Sequence, residues 1–361
     1  MIILGISDSI ESHACIIKNG KLIAAISEER LSRLKADSGY PRRSINKVLE
    51  ITKIKPSEID LVALAGFSNG LFQAIYKPNA LFSVKDWIKQ NEKYWKPILL
   101  HKKKLTELDD FLLWKKNIPN LKSDPYYEFL KETKNKSPKL YGSIFNKVRK
   151  KVISKQLGID PKKIFTFRHE TCHQYYGYYS QQQFKKKSLI LTLEGGGDDS
   201  SATISIGNGK KIIEKYKTNH AMIGRLYRYV TLLLGMKPGQ HEYKVMGLAP
   251  YGLEYHGKRS LEHFRKYNEI KGIKILKKNF FKDCYYSSKE ILQGERFDGI
   301  AWGLQTYTEE LIKKWTINCI KKYKIKNVIF SGGVAQNIKA LKHLIDQKGI
   351  TNVWSGPISG D

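Results

Sequence analysis

His169-Glu170-Thr171-Cys172-His173 sets two histidines four residues apart. On a helix, positions i and i+4 lie on one face about one turn from each other, so both imidazoles can reach one metal ion. Two nitrogen donors leave a transition-metal site incomplete, and a third ligand must come from elsewhere in the chain. Two glycine runs offer a different chemistry. Glu194-Gly195-Gly196-Gly197-Asp198 and Ser331-Gly332-Gly333-Val334-Ala335-Gln336-Asn337 each follow an apolar stretch. Glycines let backbone amides approach a phosphate closely. A helix starting just after Gly332-Gly333 would add its positive N-terminal end, with Asn337 as its cap. Lys244 supplies a further cation for an anion, or braces its own loop.

The elements that must position these residues follow from hydrophobic patterning. Apolar runs at 2–7, 14–18 and 21–27 are strands, the last two joined by Asn19-Gly20, a tight hairpin turn. Ser44 is placed to cap a helix reaching about residue 53, and residues 59–65 form a further strand. Residues 164–167 predict a short strand leading into the histidine helix. The opening pattern then repeats, with strands at 189–193, 202–206 and 211–217. A helix over 224–234 leads to a long loop, 235–252. Residues 256–296 carry no clear pattern. Apolar residues at helical spacing from Ile300 to Cys319 predict a helix over 298–322. A strand at 327–330, a helix over 338–346 and a strand at 353–354 complete the order. Three polar loops, 7–13, 194–201 and 331–337, thus stand at strand ends, where open α/β folds bind ligands. The opening meander resembles that of the actin, sugar kinase and Hsp70 type of ATPase fold, which implies that the first loop faces a nucleotide phosphate.

Composition bounds the partners. The 361 residues suffice for two lobes, and 41% hydrophobic with 27% charged residues is ordinary for a globular protein. No apolar run is long enough to span a membrane, the N-terminus lacks a signal peptide's basic region, and four scattered cysteines suggest no disulfide framework. A cytoplasmic setting follows from these as an expectation. The net charge of +30 is compatible with a polyanionic partner, but no nucleic-acid-binding motif accompanies it. A lysine-rich surface is the favoured reading, and nucleic acid the less favoured partner. Between residues 71 and 150 Lys and Arg outnumber Asp and Glu by more than two to one, and Trp87, Trp95 and Trp114 are interspersed. Residues 68–160 therefore read as a helical insertion in the first lobe.

Several stretches together resemble the carbamoyltransferases related to the nodulation, cephamycin and aminoglycoside O-carbamoylating enzymes. They are the opening strand with His13; Glu28-Glu29-Arg30 through Lys35 with Pro41; His169 and His173; Glu194 through Asp198; Gly224-Arg225-Leu226-Tyr227; Glu242 through Gly252; Ser331 through Asn337; and Gly360-Asp361. The resemblance implies an α/β fold: a duplicated actin-like ATPase (Kae1-like) arrangement of two lobes, at 1–185 and 186–361, with the helical insertion at about 68–160 in the first. It implies transfer of a carbamoyl group to a hydroxyl of a small-molecule acceptor. The donor would be carbamoyl adenylate, made from carbamoyl phosphate and ATP. A divalent metal is implied, Fe2+ first and Zn2+ or Mn2+ next, held by His169, His173 and Asp361. His13 falls where the family has its general base, and Lys35 where it contacts acceptor or phosphate. Gly195, Gly196, Gly197, Lys244, Gly332, Gly333 and Asn337 fall where it binds the nucleotide.

Two departures stand out. Glu194 replaces the family's Asp, and Gln174, Tyr175 and Tyr176 replace small residues. The family pattern also continues past Asp361 into a YrdC-like domain, so such a domain or partner is expected to make the adenylate. A homodimer is a further expectation. The alternatives are a tRNA threonylcarbamoyl-transferase-like enzyme and a truncated, non-enzymatic nucleotide-binding module.

Overall fold

Both meanders form as their patterning predicts. The computed structural model describes residues 1–67, 71–118, 121–181, 186–278, 283–347 and 349–357. They fall into two units, Met1–His169 and Glu170–Gly360. The division cuts the first turn of the helix His169–Tyr179, which is described with the second unit.

In the first unit, β1 (Ile2–Ser7), β2 (His13–Lys18) and β3 (Lys21–Ser27) pair antiparallel, and β4 (Leu61–Ala65) and β5 (Ile164–Phe167) add in parallel beyond β1. The order is β3-β2-β1-β4-β5. Alternate residues of β1, β2 and β4 point one way, so Leu4, Ile6, Ala14, Ile16, Val62 and Leu64 form one face of the core. The helix Arg42–Thr52 covers that face through Ile45 and Val48. Ser44 is not its cap. It lies buried inside the helix, where its N–H and hydroxyl both donate to the Glu28 carboxylate at 2.7 Å.

The second unit repeats the plan. Strands β6 (Ser188–Leu193), β7 (Ala202–Asn208) and β8 (Lys211–Thr218) form the antiparallel meander. After a small hairpin of β9 (Asn268–Lys271) and β10 (Lys274–Lys277), β11 (Asn327–Ser331) and β12 (Asn352–Ser355) extend the sheet in parallel, in the order β12-β11-β6-β7-β8. Order and strand senses match the first sheet, so the fold is the duplicated actin-like ATPase fold of two α/β lobes. The buried helix Phe297–Tyr323 lies within the main core of this unit. Two stretches are more regular than their sequences suggest. Residues 235–252 contain the helix Glu242–Leu248, and 256–296 resolve into the helices Glu254–Phe264 and Tyr286–Ile291 around the β9–β10 hairpin.

Between β4 and β5 the first unit carries the helical insertion, which has its own aromatic core around Phe111, Tyr126, Phe129 and Phe145. Its helix Tyr141–Leu157 is tied to the end of β1 by one ion pair. Arg149 and Asp8 are both fully buried, and Nε and Nη2 of Arg149 donate to the two Asp8 oxygens at 2.7 and 2.5 Å. Its remaining protons go to Gly66 O, Asn146 Oδ1 and Ala65 O, so all five guanidinium donors are used. The Tyr126 hydroxyl donates to Asp8 at 2.8 Å, and burial next to that carboxylate holds the phenol protonated well above its ordinary range. The carboxylate at the head of the first loop is therefore committed to the insertion. Removing one partner of such a pair strands a buried charge. Arg149→Met is expected to cost about 3–5 kcal/mol, read as a fall in the urea midpoint, whereas Lys151→Met, at an exposed pair with Glu128, changes it little.

Candidate metal centre and glycine loops

The histidine helix is pinned to the second sheet by Gln174, one of the residues that depart from the family pattern, and by Tyr178. Gln174 Nε2 donates to Thr203 Oγ1 and to Glu214 Oε2, both at 3.0 Å. Tyr178 is fully buried with Ile190 and Ile329, and its hydroxyl donates to Gly209 O at 3.1 Å. This anchoring fixes the rotation of the helix, so that His169 and His173 project from one side.

Both histidines meet a carboxylate there. One donor atom each from His169, His173 and Glu194 lie within 4.8 Å of one another. His173 Nε2 is 3.2 Å from Glu194 Oε2, and the two side chains are only 7% and 4% exposed. Two imidazoles and a carboxylate with open positions suit Fe2+, Zn2+ or Mn2+, so the residues present fit a divalent metal. The third donor comes from the residue that follows a wholly buried strand. In the sequence Glu194 stands out as a side chain one methylene longer than the family's Asp, not as a metal donor. Its place at the head of the Glu-Gly-Gly-Gly run was the available signal. Asp361, the expected third ligand, lies outside the described residues. Glu170, between the histidines, is 1% exposed and accepts the Asp198 N–H at 3.2 Å. It thereby joins the histidine helix to the 194–198 loop.

The glycine loops converge within this unit. Gly332 has φ +93°, and a Cβ on it would sit 2.7 Å from Glu194 Cγ. Only glycine lets the turn after β11 close over the end of β6. A Cβ on Gly224 would lie 2.3 Å from Gly195 N, so the helix Ile223–Leu233 begins directly against Gly195. Asn337 caps the helix Ile338–Ile345 by accepting the Ala340 N–H at 3.1 Å. The same side chain exchanges two bonds with Gln305, at 2.9 and 3.0 Å, and donates to the Tyr227 hydroxyl at 3.1 Å. Lys244 is exposed on the Glu242–Leu248 helix, its Nζ 6.0 Å from the centre of the Tyr243 ring.

Two candidates belong to the first unit. His13 begins β2, opposite Ser7 and Ser27, and its Nδ1 lies 3.1 Å from Glu11 O. A carbonyl can only accept, so Nδ1 carries the proton and neutral His13 keeps its lone pair on Nε2. Lys35 donates to the Glu29 carboxylate at 3.1 and 3.3 Å and is 71% exposed. Burial raises the Glu29 carboxyl, but the Ala36 N–H and Lys35 outweigh it and leave it below the ordinary carboxylate range.

The family model described as the carbamoyltransferase N-terminus matches residues 2–361. The chain belongs to the carbamoyltransferase family, in its N-terminal part. It is 24% identical over 387 residues to the uncharacterised Synechocystis protein sll1178, and 25% identical over 368 residues to the uncharacterised Methanocaldococcus jannaschii protein MJ1051. Both matches cover 99% of this chain and 55% of the relative. The chain thus spans about half the length of these curated relatives. The nodulation protein NolNO of Sinorhizobium fredii matches 20% of the chain and 11% of its own length at 34% identity. Among solved structures, the ADPNP-bound activator of the 2-hydroxyisocaproyl-CoA dehydratase from Clostridium difficile is similar with a TM-score of 0.44 and 12% identity, over 99% of this chain and 89% of that one. No described helix is long and apolar enough to cross a membrane, and no disulfide joins any of the four cysteines.

The donor set makes a direct prediction. Dialysed protein is expected to retain one equivalent of Co2+ with a d–d spectrum, and His169→Ala or His173→Ala to lose both. Glu170→Gln, which touches the loop rather than the ion, is expected to weaken retention about 10–100-fold. Metal analysis and the visible spectrum give the readout.

Proposed function

We propose that this chain is an O-carbamoyltransferase, or the Kae1-like part of one that carries out the transfer. It would transfer a carbamoyl group from carbamoyl adenylate, made from carbamoyl phosphate and ATP, to a hydroxyl of a small-molecule acceptor. The observation that carries this reading is the His169, His173 and Glu194 donor set at the head of a glycine loop, in a chain matched by the carbamoyltransferase family from residue 2 to 361. A divalent ion, Fe2+ first and Zn2+ or Mn2+ next, held by these residues and Asp361, would supply Lewis-acid polarisation and a template.

The chain's own groups have separate tasks. Gly195, Gly196, Gly197, Gly332 and Gly333 leave room for phosphate and ribose to approach the backbone, with Lys244 as a further cation and Asn337 holding the helix behind them. His13 takes the acceptor hydroxyl's proton at Nε2 as the oxygen attacks the carbamoyl carbon and the carbon–oxygen bond to the adenylate's phosphate breaks, releasing AMP. The Nδ1–H bond to Glu11 O keeps the ring in the tautomer that this needs. Lys35, held by Glu29, offers a positive charge to the acceptor or the phosphate. A YrdC-like domain or partner would make the adenylate.

The test is transfer itself. The chain is combined with a YrdC-like carbamoyl-adenylating partner, carbamoyl phosphate, ATP, metal and candidate polyols, and mass spectrometry looks for one carbamoyl group in place of a hydrogen. His13→Ala is expected to slow transfer about 10²–10⁴-fold with metal content unchanged. Loss of metal in this variant, or unchanged transfer, would remove the base assignment. The net charge of +30 supports one rival, a tRNA threonylcarbamoyl-transferase-like enzyme. Tight tRNA binding with a steep salt slope and no small-molecule product would favour it.

A further inference from the structure

Arg225 stands over the first glycine loop with its charge uncommitted. Its Nε donates to Gly195 O at 2.8 Å. Neither Nη1 nor Nη2 has a partner among the described residues. Nη2 lies beside Gly196, since a Cβ built there would be 3.5 Å from it and would meet nothing else within 4 Å. The residue is exposed, on the first turn of the Ile223–Leu233 helix, whose Gly224 abuts Gly195.

The loop's own acids leave the guanidinium alone. Asp199 pairs with Lys217 at 3.3 Å, and the Asp198 N–H is bound to Glu170. An arginine beside an acidic loop that makes no ion pair with it is available for another anion. Fixing Nε to a backbone carbonyl sets the plane of the guanidinium and presents its two terminal amino groups together. That is the fork geometry with which arginine grips two oxygens of one phosphate.

We propose that Arg225 binds a phosphate of the nucleotide held by the 195–197 loop. The inference rests on the proposed nucleotide role of that loop and adds to it a charged ligand on a different element. Its chemistry is phosphate recognition, so its contribution belongs to the phosphate and not to the nucleoside.

Calorimetric titration of the full chain with ATP and Mg2+, with AMP, and with adenosine tests it. Wild type is expected to bind both phosphorylated ligands more tightly than adenosine. Arg225→Gln is expected to weaken ATP and AMP about 10–100-fold and to leave adenosine unchanged, with Arg225→Lys intermediate. Gly196→Ala adds only a methyl group at ordinary contact distance from Nη2, and is expected to shift the phosphorylated ligands in the same direction. An unchanged ratio of AMP to adenosine affinity in both Arg225→Gln and Gly196→Ala would overturn the assignment while leaving the nucleotide site standing. Equal loss of all three ligands would make Arg225 a support of the loop and overturn it as well. A wild-type chain that binds none of them would overturn the nucleotide reading and this inference together.

Discussion

The candidate centre depends on where strand β6 stops. All six of its residues are buried, so the strand cannot slip in register without moving apolar side chains into water. Its end is therefore fixed, and Glu194 follows immediately with its carboxylate against His173. A carboxylate this buried needs compensation, because burying an unpaired charge is costly. A neutral imidazole gives only a hydrogen bond, and a protonated one gives charge only below its titration range. A divalent ion shared with His169 would compensate the carboxylate at neutral pH. The geometry of the site is thus set by sheet packing.

The strands and the histidine helix were legible because their signals are local. Alternating or continuous apolar runs bounded by Asn19-Gly20 or by glycine loops mark strands wherever the sheet is half or fully buried. The i, i+4 spacing marks one helix face. That Glu194 stands beside both histidines was not legible, because it depends on how the histidine helix is rotated on the sheet. That rotation is set by Gln174 and Tyr178, whose partners lie between 29 and 40 residues away. Arg149 was missed for the same reason. It sits among lysines and arginines of a basic insertion, and only its partner 141 residues earlier separates it from them. The 235–252 stretch was misjudged differently. Its glycines and prolines punctuate both ends of a seven-residue helix, and helices that short have little periodicity to read.

The glycines near the site act as spacers between elements rather than as flexible joints. Gly332 is required because β11 turns over the end of β6, and Gly224 because a helix begins against a loop. Each removes a side chain from a place where two backbones meet. Three segments thereby meet, the turn at Gly332 against Glu194 and the helix start at Gly224 and Arg225 against Gly195.

The duplication sharpens what makes the second unit different. Strands β1 and β6 are each six residues long, hold the same place in their sheets, and are each followed at once by a carboxylate, Asp8 and Glu194. The two acids are topological equivalents with opposite fates. Asp8 meets a guanidinium that is always charged and already uses every donor it has, so the pair is closed and acts as a strut between sheet and insertion. Glu194 meets an imidazole, a group that changes protonation near neutral pH and whose nitrogens bind metals. With a second histidine one turn away, that end of the sheet can take up an ion where its counterpart cannot. The same fold therefore carries a structural ion pair in one unit and a candidate reactive centre in the other, and the difference is the chemistry of the base placed against the first strand's acid.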